Sequence, residues 1–126
     1  MRVVVLILLS AALVAAQSPA APPLSENRKI EAIIRIVDEL KDATFIRNGS
    51  EHDCHAAAKH MRDKWNAQRS KIRTAEDFIE LAASRSSISG KPYLIRFKDG
   101  REIESGTFLR EELRKLEPAT TSSASR

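Results

Sequence analysis

Two short windows concentrate the groups able to do chemistry. "EHDCH", Glu51 to His55, with His60 close behind, brings carboxylates, imidazoles and a thiol together, which are the common ligand types for a transition metal. If Asp53 opens a helix, His55 and His60 stand five positions apart, about 140° around an axis of 3.6 residues per turn, and cannot both reach one ion. Cys54 falls on the apolar side of that helix. His52 and His55 are close enough for a loop site with Asp53, but no second cluster supplies further ligands, so the window is read as capping and surface groups with no metal.

The second window, "RSSISGKPY", Arg85 to Tyr93, invites three familiar motifs and fails each at a definite position. A phosphate-binding P-loop needs glycine where Arg85 stands and Ser or Thr where Pro92 stands. An esterase elbow and a Ser-x-x-Lys nucleophile pair both need serine where Ile88 stands. No His, Asp or Glu is locally placed to activate Ser86, Ser87 or Ser89, so a serine hydrolase ranks last and no cofactor is expected. Arg85 and the serine hydroxyls are instead suited to the carbonyls at a helix end. Gly90 permits a left-handed turn, and Pro92 starts a strand without needing a donor.

The elements that must position these windows follow from periodicity. Ser25 caps a helix in which Ile30, Ile33, Ile34, Val37 and Leu40 recur at three- and four-residue steps. "ATFIRNG" reads as a short extended piece ending in a sharp Asn48-Gly49 turn. Asp53 caps a second helix with Cys54, Ala57, Ala58, Met61 and Trp65 on one stripe. Thr74 caps a third, with Glu76 and Asp77 in its first turn and Phe78, Ile79, Ala82 and Ala83 facing the core. "YLIRFKDGREIES" then alternates as a β-hairpin. A three-residue loop of Lys98, Asp99 and Gly100 sets Ile95 opposite Ile103 and Arg96 opposite Glu102, with Gly100 in the left-handed bulge position. Thr107 is the expected cap of a last helix carrying Phe108, Leu109, Leu113 and Leu116. The fold class is α+β: three helices followed by a β-hairpin and a C-terminal helix, in one small domain.

The ends and the charge set the compartment. "MRVVVLILLSAALVAAQ" has one cation, an apolar run from Val3 to Val14 and small residues after it, the layout of a cleaved signal peptide over 1–16. That run is shorter than the roughly 20 residues of a membrane span. Residues 17–25 form a Pro/Ala-rich linker, 26–117 the α+β domain, and 118–126 a disordered tail. The single cysteine excludes an intramolecular disulfide in the oxidising compartment to which export is expected to deliver the chain. The formal charge of +4 falls by one when Arg2 leaves with the leader. "KHMRDKWNAQRSKIR", Lys59 to Arg73, reads as a solvated helix face. No nucleic-acid partner and no stable membrane insertion after cleavage are expected.

"FIRNGSEH", "HMRDKW", "TAEDFIELAASRSSISGKPY" and "DGREIESGTFL" together resemble the YfeK-like family of small exported bacterial proteins, a domain of unknown function. The resemblance covers about Ile30 to Leu113 and implies a bacterial envelope location and a single compact domain, with no established activity, substrate or cofactor. The family pattern has an acidic residue before the alanines of the second helix, where this chain has His55-Ala56-Ala57. Ser89-Gly90-Lys91-Pro92-Tyr93 also is similar to the Ser-Gly-x-x-Tyr loop that periplasmic lysozyme inhibitors insert into an acidic cleft, although those inhibitors are largely β-sheet.

The expected function is a non-catalytic binding or interaction module of the envelope. In it Arg47, Asn48, Arg85, Ser87, Ser89, Lys91 and Tyr93 form a polar surface for an anionic envelope ligand or an envelope protein. Inhibition of lysozyme or another envelope hydrolase is the second reading.

Overall fold

A computed structural model describes residues 24–117. The expected leader, most of the linker and the tail therefore lie outside the described residues. Helix α1 (Glu26–Asp38) starts where Ser25 Oγ accepts the Arg28 N–H, and it buries Ile30, Ile33, Ile34 and Val37. Asp53 accepts the Ala56 N–H at 2.7 Å to open α2 (Cys54–Ala67), whose buried residues are the expected stripe from Cys54 to Trp65. α3 (Ala75–Phe78) opens on a capping box, Thr74 Oγ1 accepting from Asp77 N and Asp77 Oδ2 from Thr74 N. It runs on into a π-helical turn over Ile79–Ala83. Trp65 and Phe78 pack edge to face, ring centroids 6.2 Å apart, in the centre of the core.

The sheet is larger than the sequence suggested. β1 (Thr44–Arg47) turns back through Asn48 (φ 50°) and Gly49 (φ 79°) into β2 (Ser50–His52). Two consecutive positive φ angles give the tight turn whose twist suits a two-residue hairpin. β3 (Leu94–Arg96) and β4 (Glu102–Glu104) form the expected hairpin with Ile95 opposite Ile103, Arg96 opposite Glu102, and Gly100 at φ 88°. β1 also pairs antiparallel with β3, Phe45 opposite Ile95, which merges both hairpins into one four-stranded sheet ordered β2-β1-β3-β4. The α+β class stands, but the order of elements is corrected: a first hairpin lies between α1 and α2, and the second completes its sheet.

α4 (Ser105–Leu116) corrects another expectation. It begins two residues before Thr107, with Glu104 at the cap position and no capping side chain. Tertiary docking sets the start instead. Ser105 N–H donates to the Tyr93 carbonyl at 2.8 Å, and Gly106 lies so close to Ser84 that a Cβ there would sit 2.6 Å from Ser84 Oγ. None of the described helices is long and apolar enough to cross a membrane.

Candidate functional site

Alternation along the strands decides what faces α2. Successive side chains of a strand point to opposite sides, so Arg47 shares the helix-facing side with buried Phe45. Tyr93, two residues before buried Ile95, does the same, and so does His52, which stands opposite Phe45 across the first hairpin. From the other side α2 offers His60 and Lys64, four residues apart and therefore neighbours on one face.

These groups meet. Arg47 Nη1 lies 2.8 Å from Nδ1 and 2.9 Å from Nε2 of His60, so whichever ring nitrogen lacks a proton accepts from the guanidinium. His60 Nε2 is 3.4 Å from the Tyr93 hydroxyl, with the rings edge to face. Lys64 Nζ donates to that hydroxyl at 3.2 Å and to the Arg85 carbonyl at 3.3 Å. Among the described residues neither Arg47 nor Lys64 forms an ion pair with a carboxylate, although Arg62, Arg85, Arg96, Arg110 and Arg114 all do.

The electrostatic consequence is a strained cluster of like charge. Burial, then the Arg47 and Lys64 charges, hold the His60 imidazole below its ordinary value. Burial, then Arg47, hold the Lys64 ammonium below its own. Burial pushes the Tyr93 phenol up, against a smaller opposing pull from Arg47.

Two cavities meet at Arg47, His60 and Tyr93. An outer one of about 300 Å³ is bounded also by Asn48, Lys64 and Ser86 to Ile88, whose side chain is 96% exposed at the lip. A smaller chamber of about 90 Å³, open to solvent beside the exposed Ala56, runs between the first hairpin and α2, with Phe45, Ala57 and Met61 among its apolar walls. His52 lines the chamber, and its Nε2 is buried without a hydrogen-bond partner. Among the described residues no Asp or Glu lines either cavity.

The serine-rich segment is a closed loop against this mouth. Ser86 N–H donates to the Lys91 carbonyl, Gly90 N–H to the Ser86 carbonyl, and Ser86 Oγ accepts from the N–H groups of Ile88 and Ser89. Asn48 joins it, donating to Ser86 Oγ at 3.2 Å and accepting from Ser89 Oγ. Of the residues expected to bind, Arg47, Asn48, Ser87 and Tyr93 line the outer cavity. Ser89 serves the loop, Lys91 projects from it, and Arg85 turns away to Glu80 at 2.6 Å rather than covering helix carbonyls. Ser84 takes that last role, donating to the Ile79 carbonyl. Tyr93, 6% exposed and bonded to Lys64, faces into the protein rather than out along a projecting loop.

The three histidines diverge. His55 pairs with Asp38 of α1 at 2.5 Å, His60 meets Arg47, and His52 faces the chamber. Among the described residues no group of three or more His, Cys, Asp or Glu is placed to hold a metal. His60 and Lys64 were missed as site residues. Their signal was the four-residue spacing beside the Met61–Trp65 stripe.

The match to a family model of unknown function, DUF5329, runs over residues 24–117, all of the described structure. The chain belongs to this family. An uncharacterised protein of Salmonella typhimurium strain LT2, YfeK, is 47% identical over 68 residues, which span 54% of this chain and 57% of that protein. No solved structure matches. In this DUF5329 chain the site geometry therefore carries the functional reading.

Proposed function

We propose that this protein is an exported, non-catalytic binding module of the bacterial envelope that takes a small anion on Arg47, His60, Lys64 and Tyr93. The observation that supports it is that, among the described residues, no carboxylate lines a site holding two cations and an imidazole. A half-buried cation without a counter-charge costs stability, and a bound anion removes that cost. The guanidinium offers paired N–H donors suited to a carboxylate or phosphate, while the ammonium adds a point charge. Export rests on the leader-like N-terminus.

Titration of the purified, isotope-labelled protein with sodium acetate and with phosphate, against sodium chloride at matched ionic strength, tests this reading. Amide shifts should concentrate at Arg47, Asn48, Lys64 and Ser86 to Ile88, and Arg47→Gln and Lys64→Gln should each weaken binding about tenfold or more, a charged hydrogen bond being worth about 1.5–3 kcal/mol. Shifts scattered over the surface cations, or unchanged by either substitution, would overturn it.

A further inference from the structure

Resting on that anion site, the imidazole beside its two cations sets the conditions under which it fills. We infer that the anion enters together with a proton taken up by His60, so that the site loads more tightly as the pH falls.

Donors and acceptors decide this. Arg47 Nη1 stands 2.8 Å from Nδ1 and 2.9 Å from Nε2 of His60, and a guanidinium only donates. A neutral ring has one nitrogen free to accept and is compatible with that neighbour. An imidazolium carries N–H groups on both nitrogens, so it sets donor against donor and positive charge against positive charge. An anion oxygen removes the conflict, because it accepts from the guanidinium and the imidazolium at once.

The other groups around the ring do not resolve it. Besides Arg47 of β1, those facing it are His52 of β2, Tyr93 ahead of β3, and Asp63 and Lys64 of α2 itself. The Tyr93 hydroxyl, 3.4 Å from Nε2, already accepts from Lys64 at 3.2 Å. Asp63 pairs with Lys59 at 2.8 Å, and its pull on the ring is weaker than the push of Arg47 or of Lys64. His52 adds a further push against charge. His60 itself is half-buried and lines the outer cavity beside both cations. An anion that offsets Arg47 and Lys64 therefore raises the midpoint at which His60 titrates. Between the midpoints of the empty and the occupied site, binding takes up a proton and affinity rises as pH falls.

Sulfate is the probe, because unlike acetate or phosphate it keeps one charge over the histidine range of about pH 5–8. NMR of the intact, isotope-labelled protein follows the histidine rings across that range in sulfate and in sodium chloride at matched ionic strength. His60 should titrate about one pH unit or more higher in sulfate. The signals of His55, which pairs with Asp38 of α1, should be unaffected by the exchange of anion. Sulfate affinity should be about tenfold higher near pH 5 than near pH 7.5, the worth of one charge-assisted hydrogen bond. In His60→Gln that rise should shrink below about twofold. Sulfate bound at Arg47 and Lys64 with the His60 midpoint unmoved, or His55 and His60 moved alike, would overturn the coupling while leaving the anion site standing. So would a tenfold rise that survives His60→Gln. No sulfate binding at either pH would overturn both.

Discussion

Ser84 and Ser105 are buried serines where α4 docks on the end of α3, and one substitution should move stability in opposite directions at the two. Ser105 is 0% exposed and its Oγ has no hydrogen-bond partner. The folded state thus holds a desolvated hydroxyl at a cost of about 1–3 kcal/mol. Ser105→Ala removes that oxygen, keeps the backbone bond to the Tyr93 carbonyl, and introduces a better helix former in the first turn of α4. Loss of dispersion contacts around one oxygen offsets a fraction of this, leaving a gain of about 1 kcal/mol. For a domain of this size that is a rise of about 4–8 °C in melting temperature. Ser84 Oγ, by contrast, donates to the Ile79 carbonyl at 2.6 Å inside the π-helical turn. Ser84→Ala deletes that buried bond and should cost about 1 kcal/mol. Thermal and urea unfolding of the two variants beside the parent, followed by circular dichroism, reads both signs. A Ser105→Ala protein less stable than the parent, or two variants shifted down together, refutes the reasoning.

Further expectations are independent of that pair. Gly106→Ala sets a Cβ 2.6 Å from Ser84 Oγ and 3.2 Å from Ser84 Cβ, and should destabilise by about 1–3 kcal/mol through overpacking. Combining it with Ser84→Gly should cost less than the sum of the single changes, as chemical denaturation of all three proteins will reveal. His60 titrates below its unfolded value because of burial and of Arg47 and Lys64. The unfolded chain therefore binds the proton first: the His60 contribution is complete above about pH 6.5 and declines as pH falls toward the folded value. Melting temperatures across that window should drop in the parent, and the His60→Gln variant should flatten this part of the profile.

Helices and the second hairpin were legible because their signals are local. The steps from Ile30 to Val37 mark one face, Thr74 and Asp77 mark a helix start, and the pairing of Ile95 with Ile103 follows from matching apolar and charged partners. β2 was not legible. Ser50, Glu51 and His52 have no strand-favouring side chain, and they pair only because Asn48 and Gly49 aim them back along β1. The start of α4 escaped for the reason Thr107 suggested itself: capping chemistry is local, whereas the docking of Ser105 and Gly106 is not. At the site, Arg47, Asn48 and Tyr93 stood out beside turns. His60 and Lys64 looked like solvated members of a basic helix until the β1–β3 pairing set Arg47 and Tyr93 against them. A helix face acquires a role from what lies across it.

The bonds from Asn48 to Ser86 and Ser89 join a hairpin turn to a loop some forty residues further on. These bonds tie the two rims of the cavity together, and the exposed Ser87 and Ile88 side chains stand at the lip. Entry and exit then wait on side-chain rotation, in picoseconds to nanoseconds, rather than on the microsecond-to-millisecond closing of a lid. Such a mouth lets occupancy follow the surrounding concentration with little lag. An anion at the proposed site would therefore equilibrate with its surroundings rather than be trapped.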